Sequence, residues 1–363
     1  MVEVLGAEPI TSFPDAVFTG DFAAPDWAMP DVSAVEAFAA TGLRVVNLEG
    51  RPQLDFRAAQ GLSRAKINLA STADAVRLFD PVRTVFSAAN NHWEDFPEVD
   101  ALPLAAFGGA QVAGLRDIDH VRVTLGRRET VIAFFCFPNT DPLRWRGRRK
   151  ANTVTPSRAL KRLATLQAAH PDADVIAVVH FGYEMSPLPY PADRAWVRAA
   201  ARLGVRLVIG HQSHVVQPVE WFGDCLACYS LGNLYLPEGQ WFGSPLSYGG
   251  AGDLGLLVRW GGEAAELATC RNEGGVVTVV EGAPAAVDSS DFAGMDNLAY
   301  ARFYRERLGQ GLARQPALLP VLSAYDAFWG AENALLLLQD GRQGIRDALL
   351  KLGLHRARSA RQA

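Results

Sequence analysis

Eight short runs of apolar, largely β-branched residues constrain this chain more than any other feature. AVFTGD (16–21), LRVVNLE (43–49), TVFSAAN (84–90), TVIAFFCF (130–137), DVIAVVHF (174–181), VRLVIGH (205–211), LACYSLGN (226–233) and LGLLVRW (254–260) read as buried strands. Amphipathic stretches separate the earlier ones: VSAVEAFAATG, STADAVRLFD, SRALKRLATLQAAH and ADRAWVRAAARLG. Strand and helix patterns in alternation imply an α/β fold with a largely parallel sheet. From residue 226 to 280 the helical stretches disappear and strand follows strand, which predicts a second sheet packed on the first. Beyond residue 283 the pattern turns helical, so the chain divides into residues 1–283 and a helical C-terminal extension, 284–363.

Composition narrows the functional classes. The 363 residues carry 35 Lys plus Arg against 39 Asp plus Glu, a formal charge of −4, which argues against a nucleic-acid partner. No run of about 18 apolar residues occurs, so no membrane-spanning helix and no membrane partner are expected. The start of the chain, MVEVLGAEPITSFPDAVFTGD, lacks the basic-then-apolar order of a signal peptide. The expected location is the cytoplasm. Four cysteines are too few for a disulfide framework. The pair Cys225 and Cys228 lies in an alternating stretch without a second CxxC, and reads as buried strand rather than half a zinc or redox site.

The chemistry gathers where the runs end. The first closes on Gly20 and Asp21, the second on Asn47 and Glu49, the third on Asn90, Asn91 and His92. The fifth runs into His180 and Glu184, the sixth into His211 and His214. Each has an ordinary explanation when taken singly: a turn for Asp21, a cap for the Asn residues, a core histidine for His180. Their recurrence at five strand ends is the signal, because open α/β sheets bind ligands at the carboxyl ends of their strands. Mixed imidazole, carboxylate and amide donors suit manganese, iron or zinc. His120, His170 and His355 fall outside the pattern.

The order GD, NLE, ANNH with Asp95 three residues on, HFGYE, GHQSHVVQPVE and YSLGN resembles the CapA-like capsule-synthesis family. That family is the poly-γ-glutamate-associated branch of the calcineurin-like metallophosphoesterases, and the resemblance spans residues 18–260. It implies two β-sheets packed face to face with helices outside, an αββα sandwich. It also implies a centre for two divalent ions held by Asp21, Glu49, Asn91, His180, His211 and His214. His92 would act near the leaving group, with Asp95 beside it and Glu184 beside His180 as further catalytic residues. Two positions depart from the family pattern: Ala23 stands where the first motif has a His, and Gln212 where a second His follows His211.

The expected activity is therefore a soluble metal-dependent hydrolase of a small anionic substrate, cleaving a phosphoester or an amide of γ-glutamyl type. The alternative is a non-catalytic binding or assembly factor for a poly-γ-glutamate-like polymer. Arg144 and Arg146, in the basic stretch RWRGRRK, and Asn90 are the candidate substrate contacts. In the extension, Phe328, Trp329, Leu335 and Leu338 make an apolar stripe that must dock on the catalytic part or on a second copy, which makes a homodimer an expectation.

Overall fold

The eight runs become strands close to where the sequence places them. The computed structural model describes residues 10–62, 67–137 and 150–308. Its first part comprises β1 (Ile10–Phe13), β2 (Ala16–Phe22), α1 (Ser33–Phe38), β3 (Leu43–Leu48), β4 (Pro52–Gln53), β5 (Ser71–Thr72), β6 (Thr84–Ser87), β7 (Gln111–Ala113), β8 (His120–Leu125) and β9 (Arg128–Cys136). Then follow α2 (Pro156–Ala169), β10 (Asp174–His180), α3 (Pro191–Arg202), β11 (Val205–His211), β12 (Val219–Phe222), β13 (Cys225–Cys228) and β14 (Asn233–Tyr235). The last are the hairpin β15 (Gly239–Trp241) and β16 (Ser244–Leu246), then β17 (Leu254–Trp260), β18 (Ala265–Glu273), β19 (Val276–Glu281) and α4 (Asn297–Leu308). The stretch STADAVRLFD forms only a 3-10 turn, Ala73–Leu78.

Two sheets result, in the order β1-β8-β9-β10-β11-β13-β12 and β19-β18-β17-β2-β3-β6-β7, with β14 paired to the end of β2. Side-chain alternation shows how they stack. On β10, Ile176 and Val178 join Ile132, Phe134, Leu207 and Ile209 in a core shared with Phe18, Val45 and Val85 of the other sheet. The intervening Val175, Ala177 and Val179 face outward under Leu163, Leu166, Trp196 and Val197 of α2 and α3. The far face of the other sheet is covered by α1 and the 3-10 turn, through Val35, Ala75 and Val76. Pro156 and Pro191 open α2 and α3 at the position where a missing N–H costs nothing. The architecture is an αββα sandwich.

One expectation needs correction. Residues 226–280 do not make the second sheet by themselves. Residues 225–228 add to the sheet of β10 and β11, whereas β17 pairs antiparallel with β2 and brings β18 and β19 onto the sheet of β2, β3 and β6. The early strands leave one edge of β2 unpaired, and β17 satisfies its backbone groups. The two sheets are therefore interleaved in sequence.

Candidate metal centre

The same alternation that builds the inter-sheet core delivers the polar groups. His180 continues the inward face of Ile176 and Val178, and His211 that of Leu207 and Ile209. Asn47 and Glu49 likewise continue Leu43 and Val45 on β3. Parallel register sets His180 opposite His211 and Asp21 opposite Asn47. The donors of both sheets therefore meet at one end of the core, and all are buried: Asp21 and Glu49 are 0% exposed, His180 and His211 2%, His214 3%.

Close backbone approach makes this convergence possible. A Cβ at Gly20 would sit 2.3 Å from the Gly232 carbonyl, which instead accepts the Asp21 amide at 3.0 Å. The loop after β11 is strained to the same end. Gln212 and His214 hold left-handed φ of 93° and 59°, and the Gln212 amide donates to Asp21 Oδ2 at 3.2 Å.

One carboxylate oxygen lies at the centre. Glu49 Oε1 is buried and accepts no hydrogen bond. Around it stand the Nε2 atoms of His180 at 3.7 Å, His214 at 3.8 Å and His92 at 3.9 Å. Donor atoms of Asp21, Glu49 and His180 all fall within 4.8 Å of one another. Such spacings exceed a hydrogen bond and suit ligands sharing one first-row ion, with bonds of about 2.0–2.2 Å. His180 Nε2 also lies 2.9 Å from Asn91 Oδ1.

Further groups fix these ligands. Asn47 Nδ2 donates to Asp21 Oδ1 at 2.7 Å and lies 3.4 Å from His180 Nδ1. His214 Nδ1 is 3.0 Å from Asn233 Oδ1 and 3.2 Å from Asp21 Oδ2. His211 Nε2 donates to the Thr19 carbonyl at 2.9 Å, and its Nδ1 is buried without a hydrogen bond. His92 Nδ1 lies 2.6 Å from Asp95 Oδ2, a carboxylate that also takes the Leu69 amide. Partners of this kind set which imidazole nitrogen is free.

The electrostatics call for a cation. Burial raises the Glu49 carboxyl well above its ordinary range, and the neighbouring Asp21 raises it further. Burial also opposes ionisation of Asp21, but the hydrogen bond from His214 and the imidazoles of His211 and His180 outweigh it and hold this carboxyl low. His214 is pushed up to about 10, because Glu49 and Asp21 overcome its burial. Burial keeps His180 and His211 below their usual value. The raised Glu49 and His214 values both stem from carboxylates crowded together in a buried space, a strain that a divalent ion would relieve. The donor set fits such an ion.

The remaining candidate residues take different places. Glu184 is exposed, and its charge acts on Glu49 and His214 from the solvent side. Asn90 is spent within the scaffold, donating to the Leu48 carbonyl and accepting the His92 amide. Arg144 and Arg146 lie outside the described residues. Cys225 and Cys228 are buried free thiols on β13, and burial pushes Cys225 up to about 12. Ala23 packs with Leu69, Leu236 and Trp241. Two site residues escaped the sequence analysis. Asn233 was visible within YSLGN, but its bond to His214 was not. Tyr248, whose ring centroid lies 5.2 Å from that of His214, had no local signal at all.

Residues 117–238 match the family model for the bacterial capsule synthesis protein PGA_cap. The PGA biosynthesis protein CapA of Bacillus subtilis (strain 168) is 24% identical over 187 residues, 48% of this chain and 48% of that protein. The capsule biosynthesis protein CapA of Bacillus anthracis is 27% identical over 176 residues, 43% of this chain and 41% of that one. The chain thus spans about half the length of the curated relatives it matches. The solved sulfate thiohydrolase SoxB of Thermus thermophilus aligns with 86% of this chain and 62% of its own, at 11% identity and a TM-score of 0.36. The CapA-like character read from the motifs is borne out. The matched segment contains HFGYE, GHQSHVVQPVE and YSLGN, and the Asp21, Glu49 and His92 motifs precede it.

Proposed function

We propose that this chain is a metal-dependent hydrolase whose centre is built around Glu49. The observation that carries this reading is the unpartnered, buried Glu49 Oε1 with three imidazole Nε2 atoms about it at 3.7–3.9 Å. Asp21, Glu49, Asn91 and His180 would hold one ion. His214 and His211 add donors beside the same carboxylates, and we propose a second ion there. When bound, a divalent ion supplies Lewis acidity and acidifies water near neutral pH.

The chain's own groups do the rest. Asp95 fixes the His92 ring through Nδ1, so His92 Nε2 faces the centre and is placed to hold or give up the proton of a leaving group. Asn47 and Asn233 prevent the ligands from rotating when charge changes. The substrate would be a small anion carrying a phosphoester or a γ-glutamyl-type amide, and the protein would act in the cytoplasm.

The likeness to proteins of PGA and capsule biosynthesis favours a second reading, a polymer-binding assembly factor without turnover. Elemental analysis followed by a panel of phosphoesters and γ-glutamyl amides separates the two. The hydrolase reading expects one to two equivalents of manganese, iron or zinc, turnover abolished by chelation, and loss of both metal and turnover in His180→Ala. A wild-type protein that takes up no metal overturns it. Stoichiometric metal without turnover on the whole panel favours the assembly factor.

A further inference from the structure

The turn at residues 247–250 is fixed beside the centre by one side chain. The Glu238 carboxylate accepts the Tyr248 amide at 2.6 Å, the Gly250 amide at 3.1 Å and the Ser247 hydroxyl at 2.9 Å. The turn holds the Tyr248 ring against His214, centroids 5.2 Å apart and planes tilted by 39°. Behind the ring runs the Gly252 backbone, where a Cβ would come within 2.5 Å of Tyr248 Cδ2. The Gly252 carbonyl accepts Asn233 Nδ2 at 3.1 Å, and Asn233 Oδ1 meets His214 Nδ1 at 3.0 Å. Phenol ring, amide and imidazole therefore form one connected unit.

The ring's apolar part packs on the cluster of Ala23, Leu69, Leu236 and Trp241. Its hydroxyl makes no hydrogen bond to any described residue. The ring's contact with His214 sets the phenol beside the centre, with the carboxylates of Glu49, Glu184, Asp21 and Glu238 among its neighbouring charges. A rigidly mounted O–H with no acceptor among the described residues, set beside a candidate cation site, is placed for an oxygen that arrives with the ligand.

We propose that Tyr248 is a substrate-contacting residue, its phenol O–H donating to an oxygen of the phosphoryl or carboxyl group held at the Glu49, His180 and His214 end. This deepens the hydrolase reading and rests on it. Tyr248→Phe deletes the hydroxyl and keeps the ring on His214. The test compares the metal-loaded full chain with this variant in metal content, thermal midpoint, affinity for inorganic phosphate and for acetate, and turnover of an aryl phosphate. Metal content and midpoint are expected to stay unchanged. Affinity for the bound oxyanion should fall about tenfold, the size of one hydrogen bond to a charged group, and kcat should fall with it where the wild type turns over.

Equal anion affinity and equal kinetics in the variant overturn the proposal and leave the hydrolase reading intact. Loss of metal in the variant also overturns it, by showing that the hydroxyl serves the centre instead. So does a metal-loaded wild type that binds neither anion. A wild type that takes up no metal overturns the hydrolase reading itself, and this proposal with it.

Discussion

Asp119 shows at the scale of one residue how charge is used away from the centre. Its Oδ1 lies 2.7 Å from His120 Nδ1, and Arg162 of α2 donates to both oxygens at 2.6 and 2.9 Å. Burial works against the charge, but His120 and Arg162 more than offset it and hold the carboxyl at about 2. A carboxyl lowered on folding stabilises the fold above its unfolded value near 3.8, and that contribution is lost as pH falls through about 2. Asp119→Asn should therefore be less stable than wild type at pH 6, with a gap that narrows at pH 3, as read from urea midpoints. A gap independent of pH would refute the pairing. None of this could be read beforehand: Arg162 is 43 positions away, and only the packing of α2 on the sheet brings the two together. Asn47 makes the same point within the centre, since its neighbour Glu49 was legible as a donor while its own role as a brace between Asp21 and His180 was not.

Among the elements, α4 has the most to say about the site. Tyr300 is fully buried, and its hydroxyl donates to the Pro189 carbonyl at 2.7 Å, in the loop that follows Glu184. Arg194 of α3, also 0% exposed, pairs with Glu220 at 2.6 and 2.9 Å, donates to the Met295 carbonyl at 3.0 Å and lies 4.6 Å from the Tyr300 ring centre. The start of the extension thus docks on α3 and props the Glu184 loop. Deleting residues 291–363 should uncover this ion pair and lower the urea midpoint, since each buried aromatic lost contributes about 1.5–3 kcal/mol. Loss of turnover should accompany it. An unchanged midpoint would mean that the extension is an independent appendage. The stripe of Phe328, Trp329, Leu335 and Leu338 lies outside the described residues, and the homodimer it suggests stays a proposal for light scattering.

For the whole molecule, the centre links the two sheets, so filling it should stabilise the fold. A ligand bound only by the native state adds RT ln(1 + [L]/Kd), about 2.7 kcal/mol at a hundredfold excess over Kd. Manganese or zinc should raise the thermal midpoint and a chelator should lower it. Glu49→Gln removes a buried carboxyl that resists ionisation, so without metal the variant should be at least as stable as wild type and should gain nothing from added metal. A wild-type midpoint indifferent to metal and chelator would refute the linkage. No described helix is long and apolar enough to cross a membrane.

The sequence by itself determined the strands, their burial on both faces and the donors at their ends, because these depend on local periodicity and on residue type. Only the tertiary structure decided that β17 closes on β2 across more than two hundred residues, that Glu49 Oε1 is the atom the imidazoles surround, and that Tyr248 stands against His214. Those outcomes follow from which backbone edge is left to pair and which buried group is left without a partner. Neither is fixed until the sheets have stacked.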